Sequence, residues 1–157
     1  MNWLTFGVQW VHVLLGILWF GYALSMQFLI APTLMAMPEA QQRQTFTRLG
    51  EVGARVFPVV GILVLLLGIV RGTVLGPIQS LDTLFGTSYG WIWLIALATT
   101  VAIFVNGARN LGPTFASLKD TPDLAAAGAR FQRYSRIDIG LFLVVFTCMI
   151  LMRFGGI

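Results

Sequence analysis

Four apolar stretches, each long enough to cross a lipid bilayer, decide what this chain can fold into. They run approximately from Trp3 to Leu34, Val56 to Leu75, Tyr89 to Leu111 and Ile137 to Phe154. A span needs about 20 predominantly apolar residues. With no water available in the bilayer core, the backbone polar groups of such a segment must be satisfied within a helix. The connections are short, so neighbouring helices run antiparallel and no soluble domain fits. Only 10% of the residues are charged and the mean hydropathy is +0.84, whereas soluble domains carry about 25% charged residues. The expected fold is all-α and integral to the membrane, a single four-helix antiparallel bundle over residues 1–157. The first stretch is too long for a secretory signal, has no basic residue ahead of it and shows no small-residue cleavage site before Pro32. It is expected to remain in the mature protein.

The distribution of charge gives an orientation. Arg43, Arg48 and Arg55 lie between the first two stretches, and Arg109, Lys119, Arg130, Arg133 and Arg136 lie between or beside the last two; these are eight of the ten basic residues. Arg71 and Arg153 fall on the other side. The positive-inside bias then predicts both termini outside and the two longer loops in the cytoplasm, as for a multi-pass protein of the bacterial inner (plasma) membrane. The net charge of +4 therefore points to the lipid bilayer as partner and not to nucleic acid.

Both cytoplasmic connections are rich in helix formers. Pro38 to Arg55 reads as a short helix at the inner membrane surface, running into the second span, with Phe46 and Leu49 as its main apolar residues. Between Pro113 and Arg136, Thr121 reads as an N-cap with Pro122 at the first helical position. The outer connection, Gly76 to Ser88, is mostly uncharged and reads as a lid over the bundle. The lone Cys148 lies within the fourth stretch, where a buried structural thiol is expected. No low-complexity tract or internal repeat is evident beyond the pairing of the spans into two hairpins.

His12 is the only histidine, and it sits inside the first apolar run. A desolvated imidazole must find a hydrogen-bond partner, a metal or a cofactor. Steps of three and four from it collect Gln9, His12, Gly16, Trp19, Ala23 and Gln27 on one helix face, a polar and small stripe that should turn toward the other helices. Gly61, Gly68 and Gly72 recur at helical spacing on the second span, which suits close packing and would equally admit a flat ring such as a porphyrin. Counting inward from the outer surface, His12 lies about 14 Å deep at 1.5 Å per residue. That puts it in the same leaflet as Arg71 and Arg153, which would suit a haem with iron on His12 and propionates paired to guanidinium groups. One histidine forbids bis-histidine ligation within a chain. The sixth-ligand candidates are Met26, Met149 and Met152, and a copper ion would draw on the same imidazole and thioether donors.

Near the inner face, Asn106, Arg109 and Asn110 on the third span should meet Asp138 and Arg136 at the start of the fourth. Asp138 with Arg109 would relay protons, anchor a substrate or simply fix the helices. No nucleophile with a general base, no phosphate loop and no carboxylate pair within a span is present, so hydrolysis and phosphoryl transfer are not expected. Alternating access commonly uses broken helices and repeats, and neither is evident.

Trp10-Val11-His12-x3-Gly16-x2-Trp19-x-Gly21, followed by Pro32 and Leu34, resembles the first helix of CopD-type copper-resistance membrane domains. It is also similar to the N-terminal membrane domain of certain urate oxidases and, more distantly, to HemJ-type proteins. Leu84-Phe85-Gly86-Thr87-Ser88-Tyr89-Gly90 resembles the Thr-x-Tyr-Gly start of the third CopD helix. A lysine common after that Tyr-Gly is missing from Trp91 to Leu97, which argues against a HemJ-like oxidase activity. The resemblance implies the four-helix fold and a cofactor ligand at His12, either haem b or copper. Two other readings stay open and need no cofactor: an accessory subunit or scaffold that packs in a homo-oligomer or larger membrane complex, and a small-solute or ion permease built on Asp138 and Arg109. Enzymatic activity is not expected.

Overall fold

Each apolar stretch becomes a helix longer than itself. A computed structural model describes residues 2–154. Its elements are α1 (Trp3–Met35), α2 (Glu39–Gly72), the short α3 (Leu81–Gly86), α4 (Ser88–Ser117) and α5 (Leu124–Phe154). All but α3 are long and apolar enough to cross a membrane. α1 lies along α2 and α4 along α5, while α1 also meets α5 and α2 meets α4, which closes a ring of four helices. At 33 residues, α1 extends about 50 Å at the helical rise, well beyond a hydrocarbon core of about 30 Å. The bundle therefore overhangs the lipid at the end remote from the termini.

That overhang is where the protein packs most tightly. Within the apolar windows of the spans only 11–17% of residues are buried, because lipid and not protein covers their outward faces. At the overhanging end, Leu34, Phe46, Leu118 and Ala127 are each at most 3% exposed and form one cluster; Met26, Ala31 and Phe131 form the next. Phe46 thus points into protein, and the expected surface helix over Pro38 to Arg55 is instead the first part of a continuous α2. Its sequence holds no stop signal between Glu39 and Phe57, and Pro58 is carried inside the helix at the cost of one backbone hydrogen bond.

Arg43 ties this end together. Its guanidinium donates to the carbonyls of Leu118, Lys119 and Thr121 at 3.4, 3.1 and 2.8 Å and to Glu39 Oε1 at 2.6 Å. Charge-assisted hydrogen bonds of this kind are worth about 2 kcal/mol net. Arg43→Ala is expected to lower stability in detergent by about that amount and to expose the Ser117 to Asp123 turn to limited proteolysis, read by thermal unfolding and by mapping the cleavage site. α5 begins at Leu124, more than three turns before its apolar stretch at Ile137. Asp123, not Thr121, caps it: Asp123 Oδ1 accepts from the N–H of Ala126 at 2.9 Å, while the Thr121 hydroxyl accepts from Asp123 N–H at 3.4 Å. The carboxylate stands three residues before the donor, where an N-cap acceptor belongs.

α1 and α4 share a local distortion. Over Met26–Ile30 and again over Gly107–Leu111 the helix widens to π geometry, so that Ala31 N–H bonds Met26 O and Gly112 N–H bonds Gly107 O. A proline follows one residue later in both, within Ile30-Ala31-Pro32-Thr33-Leu34 and Leu111-Gly112-Pro113-Thr114-Phe115. Proline removes a backbone donor and crowds the preceding turn, and widening that turn relieves both. The two hairpins thus carry the same device at the same place, contrary to the expectation of a chain without a repeat.

Candidate functional site

His12 reaches from α1 to α2, and Gly68 is what lets it. A Cβ added at Gly68 would stand 3.2 Å from His12 Cε1, so the imidazole edge rests on bare backbone. The other glycines of α2 are used alike: Gly61 sits against Phe104 and Trp19, and Gly72 against the indole of Trp93. The gaps that would admit a flat cofactor along this face are filled by the chain's own rings. His12 Nδ1 is buried without a hydrogen-bond partner. The Val64 carbonyl, one turn before Gly68, lies beside the ring without completing a hydrogen bond to it.

The imidazole forms part of the wall of a half-open cavity of about 730 Å³ that all four long helices line. Gln9, Gly16 and Trp19 of the α1 stripe line it with His12, as do Gly68, Arg71 and Gly72 of α2, Trp93 of α4, and Met149, Met152 and Arg153 of α5. A Cβ at Gly16 would meet nothing within 4 Å, so the absent side chain leaves space one turn from His12. Arg71 is held in place: its Nε donates to Gln9 Oε1 at 2.9 Å and its Nη1 to Leu75 O at 3.1 Å, which leaves Nη2 for a ligand. Arg153 is exposed, its guanidinium carbon 5.6 Å from the ring centroid of Phe154. The connection over Gly76 to Ser88 contributes nothing to this lining. It folds instead into α3 against the start of α4, where Trp91 Nε1 donates to Phe85 O at 2.9 Å, so it is no lid.

Met26 stands apart. It is 3% exposed and packs with Ala31 and Phe131, which removes it from the candidate ligands and leaves Met149 and Met152. Among the described residues no group of three or more His, Cys, Asp or Glu side chains is placed to hold a metal ion, so a metal here would need thioether donors.

Trp19 divides the interior. Its ring centroid lies 5.2 Å from Phe104 and 5.0 Å from Phe142, and Trp19, Ile103 and Phe142 line both the first cavity and a second, of about 640 Å³, toward the overhang. Ala23 faces the second chamber. Asp138 belongs there too, only 7% exposed, with Oδ1 accepting from Asn106 Nδ2 at 2.7 Å. The same amide reaches the Tyr134 carbonyl at 3.2 Å, and Asn110 Nδ2 donates to Asn106 Oδ1 at 2.8 Å. The sequence pattern paired Asp138 with Arg109, but Arg109 and Arg136 are exposed, and among the described residues no ion pair reaches Asp138. The π segment is the reason: it begins at Gly107 and shifts the phase of the helix, so counting at 3.6 residues per turn misplaces Arg109. Spacing also overlooked Phe142 and Trp93, apolar ring residues whose type reads only as filling.

The family model for copper resistance protein D matches residues 51–152, which takes in α4 and most of α2 and α5. No curated protein and no solved structure matches the chain, so the likenesses to urate oxidase and HemJ-type domains gain no support. The matched segment, roughly two thirds of the 157 residues, holds three of the four helices fit to cross a membrane. The chain is a multi-pass membrane protein of the copper resistance protein D family.

Proposed function

We propose that the chamber bearing His12 holds haem b, in a plasma-membrane protein with both termini outside. The observation that carries this reading is a half-buried imidazole whose Nδ1 is buried and unpartnered, on the wall of a cavity of about 730 Å³. Pockets for cofactor-sized ligands are commonly about 300–1,000 Å³, mostly apolar and supplied with a few polar groups. His12 would bind the iron, Arg71 and Arg153 would meet the propionates, and Met149 or Met152 would stand as a further ligand. The group would supply one-electron transfer. The chain's own part is to keep water from the imidazole, to fix its edge on Gly68 and to hold Arg71 in place through Gln9.

A second reading is favoured by the family's name: a single Cu(I) held by His12 with Met149 and Met152, a soft donor set that suits that ion. Absorption spectra of the purified protein, oxidised and dithionite-reduced, with metal analysis, separate the two. A Soret band that shifts on reduction supports haem; a colourless protein with one copper per chain supports the second reading. A colourless, metal-free protein overturns both and returns the chain to the role of scaffold or accessory subunit.

A further inference from the structure

We propose that the second chamber is a binding site for a lipophilic organic cation, such as a quaternary phosphonium or a protonated hydrophobic amine. The proposal is independent of the His12 chamber, from which Trp19, Ile103 and Phe142 separate it.

Three features carry it. The first is charge: Asp138 is more than nine-tenths buried and receives only an amide donor on Oδ1, while no cationic side chain pairs with it among the described residues. A carboxylate in a membrane bundle is rare and needs a counter-charge or a proton. The second is the wall around it. Trp19, Tyr22, Phe57, Phe104, Phe115 and Phe142 all face the chamber, and Tyr22 stacks on Phe57 with centroids 3.7 Å apart and planes 18° from parallel. Aromatic faces attract a diffuse cation, most strongly where water is excluded. The third is size: about 640 Å³ accommodates an organic molecule, whereas a small hard cation would need six or more oxygen ligands, and among the described residues no three carboxylate, histidine or cysteine side chains gather to hold one. Both π segments contribute to the lining, through Met26 and through Gly107 and Leu111, and such segments recur at functional sites. The other charged groups that line the chamber are Glu51 and Lys119.

The probe is tetraphenylphosphonium, with equilibrium dialysis against the full chain in detergent. Saturable binding is expected, weaker by at least tenfold in Asp138→Asn, which keeps an oxygen acceptor for Asn106 but removes the charge. The neutral triphenylphosphine oxide should bind at least tenfold more weakly than the phosphonium. Gly107→Leu is a second, steric variant: a Cβ there meets nothing within 4 Å, so the helix tolerates it while the side chain fills the chamber, and binding should fall. No saturable binding, wild-type affinity in Asp138→Asn, or equal affinity for the neutral compound overturns the proposal.

Discussion

His12→Phe is expected to abolish binding of the group proposed for its chamber while leaving the folded chain as stable as the wild type or more so. Phenylalanine keeps a flat ring on the bare backbone of Gly68 and removes a buried nitrogen that has no partner. An unsatisfied buried polar atom costs about 1–3 kcal/mol, so the apolar ring should recover part of that, on the order of 1 kcal/mol. The haem or copper content of the purified variant and its unfolding midpoint in detergent provide the two readouts. A histidine that served only to join α1 to α2 would give the opposite pair of results: group retained, stability lost. Gly16→Leu supplies a steric counterpart, since it leaves the imidazole in place and fills the space beside it.

Gly90→Ala is expected to cost about 3 kcal/mol of stability, because a Cβ there, as at Gly76, would run into backbone carbonyls. Gly90 lies in the first turn of α4 and its N–H donates to Thr87 Oγ1 at 3.1 Å. A Cβ added there would run into the backbone carbonyls of Thr83 and Leu84, where α3 folds back. A methyl group there meets carbonyl groups, which cannot swing aside as a side chain does, so the α3–α4 corner would have to open. Gly68→Ala meets the edge of the His12 ring at 3.2 Å and should cost less, on the order of 1 kcal/mol, because a side chain gives way by tenths of an ångström. Gly16→Ala meets nothing and should gain up to about 1 kcal/mol from helix propensity alone. Unfolding of the three purified variants in detergent tests the order; a Gly90→Ala protein as stable as Gly16→Ala would contradict the packing described for the corner.

The membrane-crossing helices were plain in the sequence because lipid imposes a long, nearly uncharged run and tolerates little else. The polar stripe on α1 was legible for a related reason: Gln9 and His12 cannot face hydrocarbon, so they face the cavity. The helix ends were less legible, because outside the lipid hydropathy no longer marks a helix; the sixteen residues before Arg55 continue α2 on propensity and on the burial of Phe46. Arg109 was misplaced because it lies in a π segment, where the regular spacing that assigns faces no longer applies. Met26 was named for its residue type alone, and it stands about 21 Å along α1 from His12. The recurring small-Pro-Thr after each π segment was visible in the sequence, but only the shared backbone geometry gives it meaning.

The shared proline device has a consequence for how the two hairpins came to differ. The step that carries Pro32 onto Pro113 also carries Trp10 onto Trp91 and His12 onto Trp93. Both of these last rings lie on α2, one on Gly68 and the other a turn away on Gly72. The molecule thus has the frame of a repeated hairpin in which corresponding positions offer rings to a common helix, and only one of the two rings, that of His12, can ligate a metal. Within this frame the two hairpins differ, at the position that touches α2, by an imidazole in one and an indole in the other.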